Sequence, residues 1–98
     1  MRIWKNCTAD IYYIDDAPEL KDPGYEVRID DDELVISYEG DSGWVNYQGK
    51  DLGGGHYELR ADTVNGHAMM HRAPGSTILN GCWSEDGYRG MWRVRLID

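Results

Sequence analysis

The chain reads as all-β: an antiparallel up-and-down meander of about eight strands forming a small barrel or half-barrel. Three observations predict this. Apolar residues recur at every second position, as in Val27/Ile29, Leu34/Ile36/Tyr38, Tyr57/Leu59/Ala61 and Trp92/Val94/Leu96, and no stretch shows a helix period. Clusters of Gly, Asp, Asn and Pro interrupt these runs about every ten residues, the spacing of short strands joined by turns. No connection is long enough to hide a crossover helix, so neighbours in sequence are expected to pair as hairpins. Eight strands suffice to close a small barrel; an open sandwich is the alternative.

The elements follow in order. Residues 1–14 are extended, with a break near residues 6–8, Ile11 and Tyr13 on one face and Asp10 and Tyr12 on the other. Residues 15–24 are expected to be a loop, because Pro and Asp there favour turns and solvation. Strands at 25–29 and 33–39 pair across Asp30, Asp31 and Asp32. Gly40, Asp41, Ser42 and Gly43 turn the chain into a strand at 44–48, and Gly53, Gly54 and Gly55 turn it into one at 56–61. Asn65-Gly66 is the strongest short turn signal and leads into residues 67–72. Ala73, Pro74 and Gly75 break that strand before one at 77–84. Glu85, Asp86 and Gly87 then make a last tight turn before residues 89–97.

Ninety-eight residues make one domain, 1–98, since a second would have too little chain to enclose a core. Four Trp and seven Tyr with no Phe imply a core containing hydrogen bonds as well as hydrocarbon, because buried Tyr and Trp need partners for their polar tips. No apolar run approaches a membrane span of about 18 residues, and the start lacks a secretory signal. The expectation is a soluble, cytoplasmic protein. Cys7 and Cys82 make neither a metal spacing nor a disulfide framework, and read as small apolar strand residues in a reducing compartment. The net charge is −8, and the first 49 residues carry twelve of the eighteen acids against four bases. Such a surface repels nucleic acid and anionic membranes, so neither is expected as a partner.

Gly81-Cys82-Trp83 and Gly90-Met91-Trp92 share a Gly-x-Trp step across the last hairpin, and Tyr47-Gln48-Gly49 and Tyr88-Arg89-Gly90 share Tyr-x-Gly. A strand glycine marks a bulge or close approach, so each is expected to make room for an indole. On these residues the chain resembles the calycin-type barrels (lipocalins, avidins, nitrobindins), although the first-strand Gly-x-Trp of lipocalins is missing. The resemblance implies a barrel and a ligand.

No constellation carries a specific chemistry. His67 and His71 share a face but lie about 13 Å apart along a strand, too far for one ion with bonds near 2 Å. His56 could meet one of them, which makes two ligands and no third. No metal and no cofactor is expected. Gly53, Gly54 and Gly55 precede a strand, not the helix that a phosphate loop needs, and read as a flexible loop that could serve as a lid. Asp30, Asp31, Asp32 and Glu33 are solvated hairpin acids. No serine occupies a nucleophile elbow, and nothing beside Cys82 would lower its pKa. Arg72, Arg89, Arg93 and Arg95 are expected to pair with acids such as Glu58 or Glu85.

The inward set is Ile11, Tyr13, Val27, Ile29, Leu34, Ile36, Tyr38, Val45, Tyr47, Tyr57, Leu59, Ala68, Met70, Leu79, Trp83, Trp92, Val94 and Leu96. These bulky residues predict a filled core with a shallow pocket at one mouth, where Tyr13, Tyr38, Tyr47, Tyr57, Trp83 and Trp92 could bind a small organic molecule. A small non-enzymatic binding module is therefore the leading reading. The alternative is an interaction protein, an inhibitor or adaptor, whose acidic N-terminal half meets a basic protein partner in a salt-dependent way. An enzyme is the least supported class, because no acid–base or nucleophile pair stands out.

Overall fold

The computed structural model describes residues 1–13 and 20–98. Eight antiparallel strands run β1 (Arg2–Tyr13), β2 (Leu20–Asp30), β3 (Glu33–Gly40), β4 (Gly43–Lys50), β5 (His56–Ala61), β6 (Gly66–His71), β7 (Ile78–Glu85) and β8 (Tyr88–Arg95). Each pairs with the next, and β8 pairs back onto β1 from Thr8↔Arg95 to Tyr13↔Gly90, closing the barrel. The one helical turn among the described residues is the 3₁₀ stretch Asp62–Val64.

Turn chemistry fixes the hairpins. Asp86 and Gly87 hold φ values of 50° and 89°, the double positive φ of the two-residue turn whose twist suits flanking strands. Asn65-Gly66 does not form such a turn. Asp62–Val64 coils first, Asn65 takes the left-handed conformation at φ 51°, and Gly66 already pairs with Ala61. The asparagine therefore caps a coil, a use that its tolerance of positive φ also permits.

The break in β1 is a bulge. Trp4 pairs with Val27 and Cys7 with Tyr25, so β1 spends one residue more than β2 over this step. That extra residue turns both Trp4 and Cys7 inward at a spacing of three, where simple alternation would expel one of them. Opposite it, Gly24 is skipped between Tyr25 and Pro23 at φ 84°. The expected loop at 15–24 is corrected here. Residues 15–19 lie outside the described residues, but Leu20–Asp30 is strand, with Asp10↔Lys21, Ala9↔Asp22 and Thr8↔Pro23 paired. Proline is tolerated because β3 begins to pair with β2 only at Glu26, which leaves one side of Pro23 without a ladder.

The core is a single cluster running through the barrel. Of the expected inward set, Ile11, Ile29, Tyr38 and Trp83 are only partly buried and Tyr13 is 36% exposed, all toward strand ends. Trp4, Cys7, Ala9, Tyr25 and Ala61 join the core without having been foreseen. Cys7 is a buried free thiol pushed upward in pKa by desolvation; Cys82, on the face opposite Trp83, is exposed.

At Gly81 and Gly90 the nearest neighbour is backbone. A Cβ on Gly90 would overlap the carbonyl oxygen of Tyr12, and one on Gly81 the carbonyl oxygen of Met69. The absence of a Cβ lets the adjacent backbones approach closely there. The indoles lie directly across the hairpin, in the pairs Gly81↔Trp92 and Trp83↔Gly90.

Arg72, Arg93 and Arg95 find partners other than Glu58 or Glu85. Arg95 forms an ion pair with Asp10 at 2.7 Å, and Lys21 stands 3.5 Å from the same carboxylate, which is 1% exposed. Arg93 Nε donates to Asn80 Oδ1 at 3.3 Å, and Arg72 Nε to the Ser76 carbonyl at 2.8 Å.

Candidate functional site

One end of the barrel carries the β3–β4 turn, the 3₁₀ turn, the Asp86-Gly87 turn and the last residues of β1. The other carries the Asp31-Asp32 turn, the triple-glycine loop and the residues 72–77 connection. The first end opens into a cavity of about 170 Å³ lined by Ile11, Tyr13, Asp22, Tyr25, Tyr38, Tyr47, Trp83, Glu85 and Trp92. A cavity of about 150 Å³ takes a benzene ring, so the space suits a group of that size.

Period two puts these side chains together. Tyr38 and Tyr47 come from paired strands, in register through Tyr38↔Val45 and Ile36↔Tyr47. Glu85 ends β7 and pairs with Gly66. A Cβ on Gly66 would collide with the Tyr47 hydroxyl, so glycine there lets the phenol reach Glu85. Tyr47 Oη donates to Glu85 Oε1 at 2.6 Å and Tyr38 Oη donates to the same oxygen at 2.9 Å. Two neutral donors thus fix one carboxylate oxygen, a charge-assisted arrangement.

Ring contacts hold the walls. Tyr25 stacks on Tyr38 at 5.3 Å between centroids, and Tyr38 on Tyr47 at 6.4 Å. Trp92 meets Tyr47 at 5.3 Å and Tyr25 at 6.0 Å, both steeply inclined. Tyr13 stands edge-on to Trp83 at 5.1 Å. Offset and edge-to-face pairs of this kind add about 0.5–1.5 kcal/mol each beyond burial. The indole N–H of Trp92 has no acceptor among the described residues, whereas that of Trp83 donates to the Met91 carbonyl at 3.1 Å.

The phenols are held neutral. Burial, then the hydrogen bond to Glu85, then its negative charge push the Tyr47 and Tyr38 hydroxyls well above the ordinary tyrosine range. Tyr25 is driven the same way, by burial first and then by the charge of Asp22.

Five of the six residues expected at the mouth line this cavity: Tyr13, Tyr38, Tyr47, Trp83 and Trp92. Tyr57 does not. It pairs with Met70 and bridges to Asp51 near the opposite end, where burial again raises its hydroxyl pKa. The triple-glycine loop is at that far end too, so it cannot close over the cavity. It is also tied down, since Arg72 N donates to the Gly55 carbonyl at 2.8 Å.

Sequence reasoning missed Tyr25, Asp22 and Glu85. Tyr25 shares the parity of Val27 and Ile29, and Glu85 that of Leu79 and Trp83, so alternation carried both signals. From the sequence Glu85 reads as a turn residue and Asp22 as loop.

The histidines sort as their spacing implied. His56 and His71 face each other across β5–β6 with Nδ1 atoms 2.6 Å apart, and His67 Nε2 lies 3.7 Å from Glu58. Among the described residues no three His, Cys, Asp or Glu side chains are grouped to hold a metal ion. Also among them, no helix is long and apolar enough to cross a membrane.

No protein-family model, curated protein or solved structure matches the chain.

Proposed function

We propose that this barrel is a non-enzymatic binding module that takes a small organic ligand in its Tyr/Trp-lined mouth. The observation that carries the reading is the cavity itself: benzene-sized, walled by aromatic rings in mutual contact, with one carboxylate held by two phenols. Small-molecule sites combine that kind of apolar wall with a few convergent polar groups. The neutral phenols donate and accept hydrogen bonds and make poor nucleophiles, which favours binding over catalysis. The resemblance to calycin-type barrels, resting on Gly81 to Trp83 and Gly90 to Trp92, points the same way by analogy only. Two free thiols on separate strands, Cys7 and Cys82, support a reducing, cytoplasmic setting.

The test is a thermal-shift and tryptophan-fluorescence screen of small aromatic and alkyl compounds. A ligand at a hundred times its Kd stabilises the fold by about 2.7 kcal/mol. Trp83 and Trp92 border the cavity, so the same ligand should alter their emission. If no compound raises the melting temperature or changes the emission, the reading falls. An interaction module binding a basic protein through the acidic N-terminal half then replaces it.

A further inference from the structure

We infer that the mouth selects small organic cations, alkylated ammonium groups in particular, over neutral or anionic molecules of the same shape. This rests on the binding reading above and names the ligand class for that site. The cavity lining holds two carboxylates, Glu85 and Asp22, and no Lys, Arg or His among the described residues. Asp22 pairs with inward-facing Ala9, so strand parity turns it toward the barrel axis at the exposed rim.

Glu85 is already oriented. Tyr38 and Tyr47 fix one of its oxygens, Oε1, and no hydrogen bond to Oε2 is formed within the described residues. A negatively charged group held rigid by neutral donors attracts a cation without first having to reorganise. The rings supply the other half of the recognition. Aromatic walls desolvate the carbon of an alkylated ammonium, and an aromatic face within about 6 Å attracts its charge. An anion meets the opposite situation, with two like charges and no donor stronger than a phenol.

The discriminating probes are choline, its uncharged isostere dimethylbutanol, in which carbon replaces the quaternary nitrogen, and trimethylacetate, the anion of similar shape. Binding is read by tryptophan fluorescence at low ionic strength, where exposed charges act most strongly. Choline is expected to bind at least about tenfold tighter than dimethylbutanol, the ratio that about 1.4 kcal/mol produces, and trimethylacetate to show no binding. Glu85→Gln keeps an acceptor oxygen for the two tyrosines and removes the charge. It should abolish the preference for choline, bringing the choline and dimethylbutanol affinities within about twofold of each other. Should Glu85→Gln fail to fold, Asp22→Asn at the exposed rim is expected to reduce the preference severalfold. Equal affinity for choline and dimethylbutanol overturns the cation inference and leaves the binding module standing. A preference for choline that survives both substitutions also overturns it. If neither probe binds, the inference falls, and the broader screen decides the module.

Discussion

Raising the pH should unfold this barrel in one step coupled to tyrosine ionisation. Tyr25 and Tyr47 are 3% and 2% exposed, and both hydroxyls sit far above the ordinary range because burial and nearby carboxylates oppose a phenolate. In the unfolded chain each titrates near pH 10. A group whose pKa is raised by folding contributes its full stability below the unfolded value and loses it as pH rises toward the folded one. The folded state therefore keeps protons that the unfolded state sheds, and stability should be flat at neutral pH and fall above about pH 10. Each such phenol contributes a slope of about 1.4 kcal/mol per pH unit, so two give about 2.7 kcal/mol per unit. Tyr38, raised likewise by burial and by Glu85, steepens it, and Cys7 begins to contribute earlier, above its ordinary pH 9.0. Against a total of about 5–15 kcal/mol, unfolding should come within a few units above pH 10. Phenolate absorbance and far-ultraviolet circular dichroism followed together make the assay. If Tyr25 and Tyr47 ionise in the ordinary tyrosine range while the β signal persists, they are not buried as described and the expected pH dependence is refuted.

Three further outcomes are expected. Gly90→Ala should cost several kcal/mol in a denaturant titration or prevent folding, because its Cβ would meet the Tyr12 carbonyl; Gly87→Ala, which meets nothing within 4 Å but sits at φ 89°, should cost only about 1 kcal/mol. Trp92→Ala should lower stability by about 3–5 kcal/mol, as aromatic truncations in a core do, and an unchanged midpoint would mean that the indole is not core. Arg95→Ala strips a 2.7 Å partner from buried Asp10 and should cost about 1–3 kcal/mol, softened by Lys21 and by the 38% exposure of Arg95; removing the carboxylate as well, with Asp10→Ala, should recover part of that loss.

The alternation of apolar residues was enough to establish the strand count, the meander order and most inward side chains, because period two is a local property that every strand carries. It failed where local chemistry was ambiguous. Pro23 and Gly24 look like loop, and only the ladder with β1 makes them strand. Trp4 and Cys7 differ in parity, and only the bulge reconciles them. At the mouth, the aromatic set was legible by parity. Which end of the barrel each ring occupies follows from the alternating strand direction of the meander, and that step, applied to the sequence, already puts Tyr57, at the start of β5, and the triple-glycine loop at the end opposite Tyr13 and Tyr38. Asp10 offers a subtler case: alternation puts it on the outer face, as observed, but cannot foresee that Arg95 and Lys21 bury it there.

The seam between β1 and β8 also bears on how the chain folds. Every other seam joins strands adjacent in sequence, so its contacts form across short connections. The closing seam instead brings Thr8 to Arg95 and Tyr13 to Gly90, ends separated by nearly the whole chain. Loop-closure entropy grows only as the logarithm of length, so this seam costs about 2 kcal/mol more than a ten-residue hairpin. Pairings at such separation are nevertheless the slow ones. Hairpins should therefore zip first and the β1–β8 ladder last, with Tyr13 brought against Trp83 only in that final step. Until then β1 and β8 are open edges that can pair with another molecule, so refolding yield should fall as protein concentration rises, even though the finished barrel has no free edge.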